Sequence, residues 1–191
     1  MDKYIEEIEF TLFDTETTGL DPKSGDRIVE LAAVRFKGDN KISFFESLIN
    51  PGRTVSLEAF KVNKISEEML LSAPLPKEVI PKFMGFIQES CLCSYNASFD
   101  LGFLNNELRF LGLDEIKDAP VLDILRMARR AIPGLKCYAL WFVAQSLGIE
   151  NKQQHRALSD VELTLRVFYS LKNIIRTKQS WPIKLENIID I

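Results

Sequence analysis

The 191-residue sequence has a single histidine, His155. Histidine is the side chain whose ordinary pKa lies nearest neutrality, so if this chain moves protons at physiological pH, His155 is the first place to look. Alone it proves little, because a solitary loop histidine is more often a solvated residue than a catalyst. Cysteine is scarce too. Cys91, Cys93 and Cys137 are odd in number and lack the CxxC spacing of a zinc site, which leaves buried free thiols in a reducing compartment as the favoured reading. No apolar run approaches membrane-spanning length, and the N-terminal MDKYIEEIEF is acidic, so a cytoplasmic protein with no membrane contact is expected. Excess positive charge is also missing. A net charge of −3 and a pI near 5.4 argue against a protein that coats nucleic acid broadly, while leaving room for a local basic strip. Neither an internal repeat nor a low-complexity stretch occurs, and the length suits one well-buried domain.

What is present is strongly patterned. Ile8 to Phe13 (IEFTLF) alternates and is rich in β-branched and aromatic residues, which predicts a strand ending at Asp14. The Gly, Pro and Asp punctuation of residues 19–26 predicts a turn. Arg27 to Lys37 and Lys41 to Ile49 read as two more strands joined by Gly38-Asp39-Asn40, completing an antiparallel meander. Short helical pieces follow at Ser56 to Phe60 and Ser66 to Leu71, then a longer helix from Lys77 to Glu89. Cys91 to Tyr95 reads as a buried strand leading into a helix that Ser98 caps and that ends near Leu111. Val121 to Ala131, Leu135 to Leu147 and Ser159 to Ile175 complete the set as helices. Strands first, then helix and strand alternating, predicts an α/β architecture with helices on both faces of a mixed sheet. One domain is expected over residues 1–176. The tail, 177–191, either docks its Trp181 and isoleucines on that domain or binds a partner.

Three carboxylate loci stand out. Asp14 and Glu16 lie two residues apart, so strand geometry points both the same way. Like charges at that spacing raise each other's pKa, and a bound cation is the usual compensation. Two hard oxygen ligands suit Mg²⁺ or Mn²⁺. The plainer alternative, favoured for this pair alone, is the polar end of a strand meeting solvent with Thr15 turned inward. Asp100 and Asp160 each fall in the first turn of an expected helix, where the helix dipole is itself a sufficient reason for an acid. Taken together, with the lone histidine five residues ahead of Asp160, they read as metal ligands arriving on separate rigid elements at one edge of a sheet.

Phe13-Asp14-Thr15-Glu16-Thr17-Thr18-Gly19-Leu20, Asn96-Ala97-Ser98-Phe99-Asp100-Leu101-Gly102-Phe103-Leu104 and His155-Arg156-Ala157-Leu158-Ser159-Asp160 resemble the three motifs of the DEDDh (DnaQ-like) 3′–5′ exonucleases. The likeness is greatest to the proofreading epsilon subunit of bacterial DNA polymerase III and its stand-alone relatives, and it runs from about residue 8 to about residue 172. A sister group places tyrosine four residues before the last aspartate. Arg156 stands there and histidine one place earlier, which indicates the histidine class.

The resemblance implies an RNase H-like fold with a mixed five-stranded sheet. It implies that Asp14, Glu16, Asp100 and Asp160 hold two divalent ions, Mg²⁺ or Mn²⁺, and that His155 is the general base for the water that attacks the terminal phosphodiester. The product would be nucleoside 5′-monophosphates from 3′ ends of single-stranded or frayed DNA, in proofreading or repair, with a DNA polymerase as a candidate partner. Thr17, Gly19 and Leu20 would line the pocket for the 3′-terminal nucleotide, Leu20 wedged against its base, with Asn96 and Phe103 as further contacts. For Phe103 the helix-core reading stands level. Tyr95 and Asn63 depart from the common pattern, where relatives often carry histidine. Arg126, Arg129, Arg130 and Lys136 form the densest basic cluster, either a phosphate contact or a solvated face. Trp141 and Phe142 are expected in the core rather than as a base-stacking platform. Two other functions stay open: an exoribonuclease, since the motifs do not choose the sugar, and a non-catalytic module binding nucleic acid or a polymerase.

Overall fold

The alternating residues near the start of the chain become the centre of the sheet. In the computed structural model, which describes residues 3–117, 119–150, 156–178, 184, 185 and 188, β1 (Glu9–Thr17) lies between β2 (Ile28–Lys37) and β4 (Cys91–Ser94). The order is β3-β2-β1-β4-β5, with β3 Asn40–Leu48 and β5 Val121–Asp123 at the edges. β2 is antiparallel to β1 and β3, whereas β4 runs parallel to β1 and β5, so the sheet is mixed as expected.

Period-two alternation divides β1 between two cores. Phe10 and Leu12 join Ala32, Val34 and Phe36 of β2 on one face, under α5 (Ile124–Ala131), α6 (Leu140–Ser146) and α7 (Ala157–Lys178). Phe10 stacks on Phe36 at 5.5 Å, and Phe168 of α7 closes over both. Phe13 packs on the opposite face with Leu31 and Ala33, under α3 (Pro76–Phe86) and α4 (Ala97–Phe110). The short helices α1 (Leu57–Asn63) and α2 (Glu67–Leu71) follow the meander, with Ser56 and Ser66 accepting from the backbone N–H groups of Ala59 and Met69 as caps.

Several elements differ from the sequence reading. β1 continues to Thr17, so Asp14 and Glu16 lie inside the strand. α4 is capped by Asn96 in the left-handed conformation (φ 68°) and not by Ser98, which lies one residue inside the helix; asparagine tolerates that conformation. Val121 to Asp123 is a strand because it pairs with Leu92, Cys93 and Ser94, and tertiary pairing overrides a helical pattern. Asp123 then caps α5, accepting from Leu125 and Arg126. Only Leu140–Ser146 of the expected 135–147 helix is helical. The Tyr138 hydroxyl donates to the Ile132 carbonyl and accepts from Leu135 N–H, holding the preceding stretch as a loop.

α7 runs on to Lys178, whose ammonium donates to the Ala131 carbonyl. In the tail, Lys184 bridges to Tyr4, and Leu185 and Ile188 are buried in the α7-side core. Trp181 lies outside the described residues. Cys91 and Cys93 are buried free thiols as expected, but Cys137 is exposed. Among the described residues, no helix is long and apolar enough to cross a membrane.

Candidate active site

The row that begins Phe10, Leu12 on β1 ends in Asp14 and Glu16, so the apolar face under α7 turns acidic at the carboxyl end of the central strand. Asp160, in the first turn of α7 and almost fully buried, completes the cluster. Oxygen atoms of Asp14, Glu16 and Asp160 all lie within 4.8 Å of one another. Two residues close in sequence and one far away therefore converge because α7 crosses the face that the strand period selects.

Asp100 approaches from α4, which starts just after β4, the parallel neighbour of β1. Its Oδ1 accepts from the backbone N–H of Thr15 at 2.9 Å and from the Thr15 hydroxyl at 2.7 Å, while Oδ2 accepts from the Ser94 hydroxyl at 2.6 Å. Thr15 is thus turned inward, but onto a fourth acid. Crevices at the carboxyl ends of parallel strands are where open α/β sheets bind ligands.

Burial, reinforced by like-charge repulsion, sets the protonation of the site. Burial, then the fields of Asp100, Glu16, Asp160 and Glu30, hold the Asp14 carboxyl well above the usual carboxylate range. Glu16 is pushed up to about 8 by burial and by Asp160, Glu30 and Asp100, against a lowering hydrogen bond from Asn63. Burial raises Asp100 to about 6, opposed by its bonds from Ser94 and Thr15. Hard oxygen donors crowded together and desolvated are the donor set that Mg²⁺ or Mn²⁺ takes, and a cation there would relieve the repulsion. The residues present fit such ions.

Sequence reasoning missed Glu30. It lies directly across from Glu16 in the β1–β2 register, is 1% exposed, and is bound by Arg156. An acid within the otherwise apolar Ile28-Val29-Glu30-Leu31-Ala32-Ala33-Val34 was the available signal. His155 lies outside the described residues.

Beside the acids a cavity of about 270 Å³ has Glu16, Thr17, Gly19, Leu20, Asn63 and Phe99 in its wall. The Thr17 hydroxyl donates to the Gly19 carbonyl at 2.5 Å, and the buried Asn63 donates to the Thr17 carbonyl, tying α1 to the pocket wall. Leu20 is 84% exposed at this cavity, a large apolar side chain with nothing of its own chain over it. Phe103 is fully buried against Phe99 with ring centres 4.9 Å apart; it belongs to the core, and Phe99 is the ring that reaches the cavity. Asn96 is exposed at the cap of α4, its N–H donating to Asp123. Arg126, Arg129, Arg130 and Lys136 are all exposed. Trp141, expected in the core, is 47% exposed in the first turn of α6 and set edge-on to Phe142.

Residues 11–168 match the sequence model of the RNase T exonuclease family. The chain belongs to this exonuclease family. It is 40% identical over 168 residues to the DNA polymerase III epsilon subunit of Rickettsia prowazekii, covering 84% of this chain and 72% of that one. It is 36% identical over 186 residues to the PolC-type DNA polymerase III of Thermotoga maritima, covering 95% of this chain but 13% of that protein. Against other PolC-type polymerases, too, this family member spans only about a tenth of their length.

Among solved structures it superposes on exonuclease X in complex with 5′-overhanging duplex DNA, with a TM-score of 0.72 and 25% identity over 94% of this chain and 96% of that one. It also superposes on exonuclease I of E. coli in complex with single-stranded DNA, with a TM-score of 0.78 and 20% identity over 95% of this chain and 42% of that one. The expected RNase H-like fold is therefore the one observed.

Proposed function

We propose that this chain is a metal-dependent 3′–5′ exonuclease that releases nucleoside 5′-monophosphates from single-stranded or frayed DNA ends. The observation that carries this reading is the convergence of the Asp14, Glu16 and Asp160 carboxylates within 4.8 Å beside an open, partly apolar cavity. When bound, two divalent cations supply charge stabilisation to the attacking and leaving oxygens of an in-line phosphoryl displacement. Asp14, Glu16, Asp160 and Asp100 are read as their ligands, with Asp100 held ready by Thr15 and Ser94. Thr17, Gly19 and Leu20 receive the terminal nucleotide, and His155 takes the proton from the attacking water. DNA as substrate and a DNA polymerase as partner are supported by the names of the epsilon and PolC relatives and by the DNA held in the exonuclease X complex. The cytoplasm suits the buried free thiols.

Incubation of the purified chain with a 5′-labelled DNA oligonucleotide and Mg²⁺ or Mn²⁺ tests the reading. A ladder shortening from the 3′ end, abolished by chelation and by Asp14→Asn, is expected. An intact oligonucleotide beside a degraded control would overturn it, and faster loss of a matched RNA would transfer the activity to RNA.

A further inference from the structure

Glu30 is an acid placed where acids are already too many. It is 1% exposed and directly opposite Glu16, and a buried carboxylate among others is costly unless it is paired. Among the described residues, its side-chain hydrogen-bond partners come from Arg156 and Ala157, where α7 begins. Arg156 Nε donates to Glu30 Oε1 at 3.0 Å and to Oε2 at 3.1 Å, and Arg156 Nη2 donates to Oε1 at 2.5 Å. The backbone N–H of Ala157 donates to Oε2 at 2.9 Å. Ala157 is fully buried, so this N–H, one of those a first helical turn leaves without a partner, has no water to use instead. The next link is backbone as well, since the Arg156 carbonyl accepts from the N–H of Asp160 at 3.1 Å.

We propose that Glu30 is a positioning residue, which with Arg156 anchors the N-terminus of α7 to β2 and so fixes Asp160 against Asp14 and Glu16. The proposal rests on the reading of those three acids as metal ligands. Glu30 acts as an anchor and not as a further ligand, because both its oxygens are already engaged by three N–H groups: Oε1 by Arg156 Nη2, Oε2 by Ala157 N–H, and both by the shared Arg156 Nε–H. Stability alone does not account for the pair, since apolar residues of similar volume serve as well or better in such positions. What the pair adds is register. A planar guanidinium gripping both carboxylate oxygens allows one placement of Arg156 on β2, and that placement sets the first turn of α7.

Glu30→Gln, Arg156→Lys and the double variant test this in the whole chain. Each single substitution is expected to lower kcat roughly 10- to 100-fold, the range for loss of a group that orients metal ligands, while KM for a DNA oligonucleotide stays within about twofold. The double variant is expected to lose no more than the worse single one, because both remove one interaction. Mn²⁺ binding to the nucleic-acid-free protein, followed by calorimetry, is expected to weaken in both variants. Weaker Mn²⁺ binding in Glu30→Gln but unchanged or tighter binding in Arg156→Lys would make Glu30 a ligand and overturn the proposal. Lower melting temperatures with unchanged kcat and Mn²⁺ binding in the folded variants would make the pair merely structural and overturn it too. If the wild-type chain itself neither binds Mn²⁺ nor cleaves DNA, the metal-site reading falls and the proposal with it. Cleavage by the wild type with unaffected variants removes the proposal alone.

Discussion

Thr15, the residue between Asp14 and Glu16, donates both its backbone N–H and its hydroxyl to the same oxygen of Asp100. The strand period that aims Asp14 and Glu16 at α7 necessarily aims Thr15 at α4. One tripeptide thus joins acids from both faces of the sheet, and the residue between the acids matters as much as their spacing.

Thr15→Val keeps the shape of the side chain and removes the hydroxyl donor. Loss of a buried hydrogen bond to a carboxyl group is expected to cost about 1–3 kcal/mol, read by urea unfolding of the metal-free protein. The Asp100 carboxyl should also rise above its value of about 6, because one of the bonds holding it down is gone. An NMR titration of Asp100 checks the second effect.

The acid cluster makes the metal-free fold less stable as pH rises. Glu16 moves from its ordinary 4.5 to about 8 on folding and Asp100 from 3.8 to about 6. Between those values the folded chain keeps protons that the unfolded chain has released, so unfolding becomes easier with increasing pH across roughly pH 4 to 8. Melting temperatures measured with a chelator should fall across that window. Added Mn²⁺ should raise them by an amount that grows with pH, whereas a metal increment independent of pH would contradict the cluster's role.

Leu20 and Phe103 are expected to separate substrate binding from stability. Leu20→Ala, at an 84% exposed position, should leave the melting temperature unchanged and raise KM for the oligonucleotide. Phe103→Ala should cost about 3–5 kcal/mol by leaving a cavity in the α4-side core. Equal effects on stability would show that the pocket wall has been misassigned.

Gly19 has no room for a side chain. A Cβ there would fall on the carboxylate of Asp26, which is held by the Thr18 hydroxyl and the Asp21 N–H and is paired with Arg53. Gly19→Ala must shift that network or the pocket wall. An overpacking cost of about 1–3 kcal/mol together with a raised KM is expected, and Asp26→Ala in the same background should restore part of the loss.

His155→Ala should leave Mn²⁺ and oligonucleotide binding nearly intact and reduce turnover by roughly 10²- to 10⁴-fold, the range for loss of a general base. Single-turnover cleavage across pH, with binding measured separately, distinguishes this from a binding defect.

Local pattern was enough to place the meander, α1, α2 and α7 and to single out Asp14, Glu16, Asp100 and Asp160, because strand and helix periods act within a few residues. It failed where long-range pairing intervened. Val121 and Leu122 read as helix until Leu92 and Cys93 offered them a strand to join, and Phe103 read equally as contact or core until α4 docked against Phe13 and Phe83.

The sequence by itself determined which acids point together along β1 and which residues can start α4 and α7, since the chain's own geometry sets those. Only the tertiary structure decided that α7 crosses the acidic end of the sheet, that Thr15 grips Asp100, and that Glu30 belongs to Arg156. Contacts between residues 85 and 126 positions apart carry no local signature; packing creates them when the faces of the sheet are covered.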